Sequence, residues 1–319
     1  MKLRLKESFL IAALLVADTC VLRSQEYSRE MGIQTDNDAY LWYGQDRYYT
    51  NGLFIFFRQA ADQSRLHAKK LNKIIYEMSI GQQMYTPLSA FLPEPYLQDR
   101  PFAGYLFAKG QVNLFYRDEQ ILKVGVSLGT VGPDALAHET QNLFHRTVGL
   151  YETSGWEYQI NNALAANLNF NYTALFFRKQ NAFDLSLESH LNVGTAFTGL
   201  GLGLLFRTGN INPFDQSAYH NARISRNQVM KKALKKELYV YAKPQLNYVA
   251  HDATIQGSLF SSSSPVVFDV RPLVFEQKIG LNYSNNRFSL DYALTFRSKE
   301  MYSPARHHQY GSITAYYRF

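Results

Sequence analysis

The feature that most constrains this chain is an alternation of apolar and polar side chains with period two, sustained over long stretches. In NLNFNYTALFF (167–177), Leu168, Phe170, Tyr172, Ala174 and Phe176 share one face, and Asn167, Asn169, Asn171 and Thr173 share the other. RFSLDYALTFR (287–297) sets Phe288, Leu290, Tyr292, Leu294 and Phe296 against Arg287, Ser289, Asp291 and Arg297. ELYVYAKPQLNY (237–248) repeats the pattern, with Leu238, Val240, Ala242, Leu246 and Tyr248 opposite Glu237, Lys243, Gln245 and Asn247. Successive side chains of a strand point to opposite faces, so each stretch is a strand with one apolar and one polar side. Strands of about ten residues with this pattern fit a membrane-spanning barrel; sandwich strands are shorter and turn their apolar face inward. Pro244 is the awkward member, because it removes a ladder donor.

Twelve such segments are predicted, at about 31–41, 51–60, 73–84, 103–116, 119–130, 164–178, 182–195, 198–207, 237–250, 270–284, 287–298 and 309–319. An even number closes an antiparallel ring without an exposed edge. The chain ends SITAYYRF, with Ile313, Ala315, Tyr317 and Phe319 on one face. A last strand finishing in Phe resembles the assembly signal of bacterial outer-membrane barrels. The expected fold is all-β, a 12-stranded antiparallel transmembrane β-barrel of the outer-membrane type, in one domain over 25–319.

With both termini in the periplasm, RDEQ (117–120), KQNA (179–182) and SNN (284–286) become short inner turns. The connections 42–50, 85–102, 131–163, 251–269 and 299–308 become the longer outer loops, as such barrels arrange them. The exception is the long basic connection 208–237. Its Lys231, Lys232, Lys235 and Lys236 suit either a phosphate-binding patch or a solvated helical face, and an inner location favours the second.

Composition sets the remaining bounds. Lys2, Arg4 and Lys6 precede the apolar run Phe9–Ala17, which predicts a secretory signal over 1–24, cleaved near Ser24–Gln25. That run is too short to span a bilayer, and no later apolar run reaches about eighteen residues. The sole cysteine, Cys20, excludes an intramolecular disulfide. A net charge of +7 is mild for 319 residues, so no nucleic-acid role is expected. The 23 Tyr and 22 Phe suit sheets and membrane interfaces.

Three polar patches stand out. TDNDAYLWYGQDRYYTNG (35–52) closes the first strand. If the strand continues through it, Asn37 and Asp38 face opposite sides. Asp38, Asp46 and Thr50 form either an oxygen-rich set for a hard cation, calcium before zinc, or an Asx-rich hairpin turn. LQDRPFAGYLF (97–107) carries Arg100, which could orient a carboxylate or phosphate or pair with Asp99 or another wall acid. In the loop 128–160, DALAHETQNLFHRTVG forms a helix of two to three turns with Asp134 as its cap. Gln141 and His145, four apart, share a face of that helix. His138 and His145 lack the HExxH spacing of zinc proteases, which leaves His145 as a general base or a structural residue. There is no G-x-S-x-G elbow and no zinc-type Cys/His set. What remains is water activated by histidine, with a cation or amide stabilising the oxyanion.

Taken in order, these patches resemble the lipid A 3′-O-deacylase family of LpxR-type outer-membrane barrels. The resemblance rests on Asn37-Asp38, the run Asp46–Leu53, Tyr85-Thr86-Pro87 and Asp99-Arg100-Pro101-Phe102. It continues through Gly132-Pro133-Asp134-Ala135, Gln141-Asn142, His145-Arg146, Gly155-Trp156 and Gln159-Ile160. It covers nearly the whole mature chain, with motif identity concentrated before residue 160. The resemblance implies a twelve-stranded barrel and a calcium-dependent hydrolase that removes the 3′-acyloxyacyl group of lipid A, similar in mechanism to secreted phospholipases A2. It implies that Asn37, Asp38, Thr50 and His145 occupy active-site positions, with Asp38 and Thr50 at the ion and His145 as the base. Arg100 and Gln141 would contact substrate. A family glutamate six residues after the histidine aligns with Tyr151, and the adjacent Glu152 would take its place at the ion. A family lysine that meets a lipid A phosphate has no equivalent in LSAFLPEPYLQ (88–98). The implied setting is a monomer in the outer membrane of a Gram-negative bacterium, its active site facing outward to lipopolysaccharide. A pore, an adhesion scaffold or a barrel phospholipase are the alternatives.

Overall fold

The computed structural model describes residues 27–41, 47–65, 70–92, 94–149, 152–179, 182–227 and 233–319. The expected signal segment with Cys20, and Asp46, Tyr151, Lys231 and Lys232, lie outside these residues. The strands are β1 (Arg29–Asn37), β2 (Tyr48–Ala60), β3 (Leu71–Thr86), β4 (Ala103–Tyr116), β5 (Gln120–Val131) and β6 (Ala163–Lys179). They continue as β7 (Phe183–Gly194), β8 (Phe197–Asn210), β9 (Glu237–Asp252), β10 (Leu273–Ser284), β11 (Phe288–Arg297) and β12 (His308–Arg318). Every strand pairs antiparallel with its sequence neighbours, and β1 pairs with β12, so the twelve strands form a closed barrel. Closure leaves no backbone edge unpaired, which a bilayer requires.

The alternation decides which face is which. Leu168, Phe176, Leu238, Val240, Leu290 and Ile313 are exposed on the outside, while Asn167, Thr173, Tyr239, Gln245, Ser289 and Thr314 are buried within. A wall that is apolar outside and polar inside fits a lipid surround. Pro244 has the predicted effect. β8 and β9 pair Gly203 with Gln245 and Phe206 with Ala242, but the ladder lapses at the two residues between.

Ion pairs cross the lumen at several levels. Arg58 donates to Glu30 at 2.8 Å and to Glu77, and Arg318 reaches the same Glu30 at 2.8 Å. Arg207 and Arg178 converge on Asp184 at 2.5 and 3.0 Å. Near the opposite rim, Arg297 holds Glu276 at 2.9 Å and Glu300 at 2.7 Å.

Of the long connection between β8 and β9, residues 228–232, where a lysine-bearing helical face was expected, lie outside the described residues. Its described residues form no α-helix; a 3-10 turn at Phe214–Gln216 and further turns fold back into the barrel. Phe214, Ala222 and Ile224 pack against Ala60, Ile75, Phe115 and Ile121 of the wall, and Tyr219 packs against Leu205, Ile211 and Tyr239. Burial, with Arg207 beside it, holds His220 well below its ordinary pKa, so the imidazole sits in this plug uncharged. Lys235 and Lys236 stay exposed at its end. The apolar residues between the polar ones drive the segment inward, a pattern that charge counting alone does not see. At the opposite end, Tyr49, Tyr85, Tyr105, Phe197 and Tyr310 gather across the lumen. Plug and aromatic cluster together argue against an open pore.

Candidate active site

The outer half of β1 builds the first part of the site. β1 ends at Asn37, and Asp38–Leu41 forms a 3-10 turn. The alternation therefore stops at Asn37, and the two residues are not split across the wall as a continuing strand predicts. Met31 and Ile33 face outward, and the same parity puts Asn37 on the exterior of the barrel. The Tyr40 hydroxyl pairs with Thr35 at 2.9 Å, and the Tyr40 carbonyl accepts from the Tyr292 hydroxyl at 3.1 Å. The turn thus lies down over the outer wall. Gly311, the register partner of Asn37, makes room for it, since a Cβ there would sit 2.7 Å from the Tyr40 Cβ. Gly311→Val is expected to lift the turn and cut activity at least tenfold, with barrel formation unchanged. Wild-type rates from that variant would show that the turn's seat is immaterial.

The start of β2 completes this half. Tyr48 adopts a left-handed backbone at φ 65°, and the register between β2 and β3 shifts between Tyr49 and Asn51. A non-glycine residue at positive φ next to a bulge is a strained arrangement, of order 1–3 kcal/mol, that persists only when its surroundings hold it. Those surroundings are explicit. The Tyr48 hydroxyl donates to Asp99 at 2.8 Å and accepts from the Arg306 amide at 2.8 Å, and the ring packs with Ile255, Met301 and Ala305. The bulge carries Thr50, whose hydroxyl makes a long 3.4 Å contact to the Met84 carbonyl. Beside it, the Asn37 amide donates to Asn51 Oδ1 at 2.5 Å, while Asn37 Oδ1 accepts from the Ala39 amide at 2.6 Å. Asp38 Oδ2 accepts from the Arg47 amide at 2.9 Å. Asn37, Asp38 and Thr50 are all buried, and register brings them together.

The loop after β5 supplies the second half. A 3-10 turn at Pro133–Ala135 leads into α1 (Ala137–Val148). The cap is Leu136, left-handed at φ 55° with no side-chain bond, and not the expected Asp134. The short 3-10 turn absorbs Asp134, whose amide donates to Asn162. Along α1, Ala137, Gln141 and His145 recur every fourth residue as one buried stripe, with Gln141 1% and His145 2% exposed. Leu143 and Phe144 on the opposite side are exposed. The helix rests on β3 and β4, where Gly104 admits it; a Cβ there would lie 2.6 Å from that of Ala137. Met84 joins the two halves. Its carbonyl takes the Thr50 hydroxyl, and its side chain packs with Ala137, Phe102 and Trp156.

Trp156 is a participant that the sequence did not reveal in this role. Its indole N–H donates to Gln141 Oε1 at 2.9 Å. Because indole only donates, the Gln141 carbonyl oxygen must face it, and the Gln141 NH2 is buried with no partner among the described residues. Asn142 likewise accepts from the amide and hydroxyl of Thr153, at 3.0 and 2.8 Å, which ties the following segment to the helix. Asn51, the partner of Asn37, was equally hidden, because register across a hairpin shows only in the folded sheet.

Two predicted residues, Arg100 and Glu152, make none of these contacts among the described residues. Arg100 is fully buried on the lumen side, stacked 4.2 Å from the Tyr85 ring and donating to the Thr254 hydroxyl at 3.0 Å. Among the described residues it pairs with neither Asp99 nor another acid, and in this arrangement it braces the lumen mouth. Glu152 is exposed, in the segment after α1.

Asp38 offers a carboxylate and Thr50 a hydroxyl, while Asn37 Oδ1 and Asn51 Oδ1 already accept from the Ala39 amide and the Asn37 side chain. A carboxylate and a hydroxyl are oxygen donors of the kind a hard cation such as calcium accepts. Among the described residues no three His, Cys, Asp or Glu gather at one point.

Comparison with known proteins gives the chain its relatives. A search among curated proteins found no match. Among solved structures, LpxR from Salmonella typhimurium aligns with TM-score 0.73 at 20% identity, covering 91% of this chain and all of that one. The β domain of the Bordetella autotransporter BrkA aligns at TM-score 0.46 and 10% identity, over 92% of this chain and 99% of that one. The family described as "Outer membrane protein LpxR" matches residues 8–319, which is nearly the entire chain. The chain therefore belongs to the LpxR family of outer-membrane proteins.

Proposed function

We propose that this barrel is an esterase that hydrolyses the 3′-acyloxyacyl ester of lipid A from the outer leaflet, with calcium as its cofactor. The observation that carries the reading is the position of the polar set. Asn37, Asp38 and Thr50 lie buried on the exterior face of the rim, joined through Met84 to the helix that carries Gln141 and His145. Polar residues on the lipid-facing side of a barrel are costly unless something polar is to be met there. Lipid A offers a polar sugar ester at that depth, with its acyl chains against the apolar wall.

In this reading, an imidazole nitrogen of His145 removes a proton from water as it attacks the ester carbonyl, and returns it to the leaving alkoxide. The Gln141 NH2, aimed by Trp156, donates to the oxygen on which negative charge develops. Asp38 and Thr50 would hold calcium, with the exposed Glu152 of the segment after α1 as a further ligand. When bound, the ion polarises the ester carbonyl. Asn37 orients the first turn, so that Asp38 is offered to the site. Arg100 acts from the lumen side as a brace rather than on the substrate.

Removing the ion tests the reading. Chelation with EDTA is expected to stop release of the acyl group, read by mass spectrometry of lipid A extracted from expressing cells. Calcium should restore it, and Asp38→Asn should raise the calcium concentration required. Full activity in EDTA would overturn the calcium assignment, and an unchanged lipid A profile on expression would overturn the reaction itself.

A further inference from the structure

One part of the lumen is lined by more cationic than acidic side chains. Above the plug lies a cavity of about 360 Å³. Arg58, Lys109, Lys123, Lys243 and Lys278 border it, against only Glu77, Glu188 and Asp291. Each acid is already engaged. Glu77 takes Arg58, Glu188 takes Lys243 at 3.4 Å, and Asp291 accepts from Tyr241 and Asn282, each at 2.9 Å. Among the described residues, the ammonium groups of Lys109, Lys123 and Lys278 have no ion pair and no hydrogen bond.

Their placement concentrates this charge. Lys243 and Lys278 are register partners on β9 and β10, directly opposite each other on the inward face. Like charges in that relation destabilise a sheet. On the far wall, the Lys109 chain lies across Gly125, where a Cβ would sit 2.8 Å from the lysine Cε. Lys123 follows two residues before Gly125 on the same face of β5. The two lysine pairs stand five strands apart in a ring of twelve, so they face each other across the cavity.

We propose that this cavity binds a small multivalent oxyanion of the phosphate class between the two lysine pairs. A tetrahedral dianion has enough acceptor oxygens to meet ammonium donors from both walls at once, which a single halide cannot do. It relieves two like-charge contacts and compensates cations held away from bulk water. The site is separate from the candidate active site, which lies on the outside of the wall, and it does not depend on the esterase reading.

The test uses the full-length protein in detergent. Its thermal midpoint is followed in inorganic phosphate and in sodium chloride at matched ionic strength. Phosphate is expected to raise the midpoint by several degrees and to saturate, as binding to the folded state alone requires. Lys109→Met and Lys278→Met remove cations that have no ion pair or hydrogen bond among the described residues. Each should be at least as stable as wild type in chloride and lose most of the phosphate response. Equilibrium dialysis of the wild type with labelled phosphate should find about one ion per chain, displaced by sulfate and not by chloride. Equal midpoints in the two salts, a response retained in both variants, or no retained label would each overturn the proposal. The dialysis decides the matter even where a variant fails to fold.

Discussion

His145→Ala is expected to lower acyl release by about a hundred- to ten-thousandfold, the usual contribution of a positioned general base. The barrel should survive, because His145 lies on a loop helix outside the strand ladder and the lumen network. Acyl release is read by mass spectrometry of extracted lipid A, and barrel integrity by far-ultraviolet circular dichroism. Gln141→Ala should cost less, roughly ten- to a thousandfold, since it removes one donor to the developing oxyanion and leaves the base in place. Trp156→Phe should follow Gln141→Ala in direction, because it keeps the packing on Phe102 and Met84 and removes only the bond that aims the amide. A folded His145→Ala barrel with wild-type turnover would end the case for histidine-activated water. Conserved turnover in Gln141→Ala alone would remove only the oxyanion role.

Arg58→Met is expected to produce the largest loss of stability in the molecule, about 3–5 kcal/mol. Its guanidinium joins Glu30 to Glu77 deep in the lumen, and all three side chains are buried. Removing it leaves Glu77 without its arginine, and leaves Glu30 with only Arg318, at 2.8 Å. The cost comes from the stranded carboxylates rather than from a lost attraction, so Arg58→Met with Glu77→Gln should recover much of it. Denaturant unfolding of the two variants in detergent distinguishes these accounts. If the single and double variants unfold at the same midpoint, uncompensated charge is not the cause.

Much of the barrel was legible in the chain. Segments such as 167–177 and 287–297 alternate so regularly that strand identity, and which face meets lipid, follow from period two alone. Strand ends were less legible. β1 was expected to reach 41 and stops at Asn37, because Asn37 Oδ1 takes the Ala39 amide and starts a turn, a local competition that periodicity does not register. Asp134 was expected to cap the loop helix, yet the Gly132-Pro133 corner starts a 3-10 turn first and Leu136 becomes the cap. The basic connection 208–237 was read from its lysines, whereas Phe214, Ala222 and Ile224 carry it into the lumen.

The candidate site divides in the same way. That Gln141 and His145 share a helix face is a property of spacing, and the order of the motifs along the chain identified the family. That Asn37 meets Asn51, that Met84 links Thr50 to the helix, and that Trp156 sets the amide of Gln141 are contacts between residues far apart in the chain. The sequence by itself determined a closed, lipid-facing cylinder, because each strand's two faces are written in adjacent residues. Only the tertiary structure decided that Arg100 turns inward as a brace while the Asn37 group stays on the outer wall. Which side of the rim a loop residue occupies depends on register, bulges and the packing of distant segments, none of which a local pattern encodes.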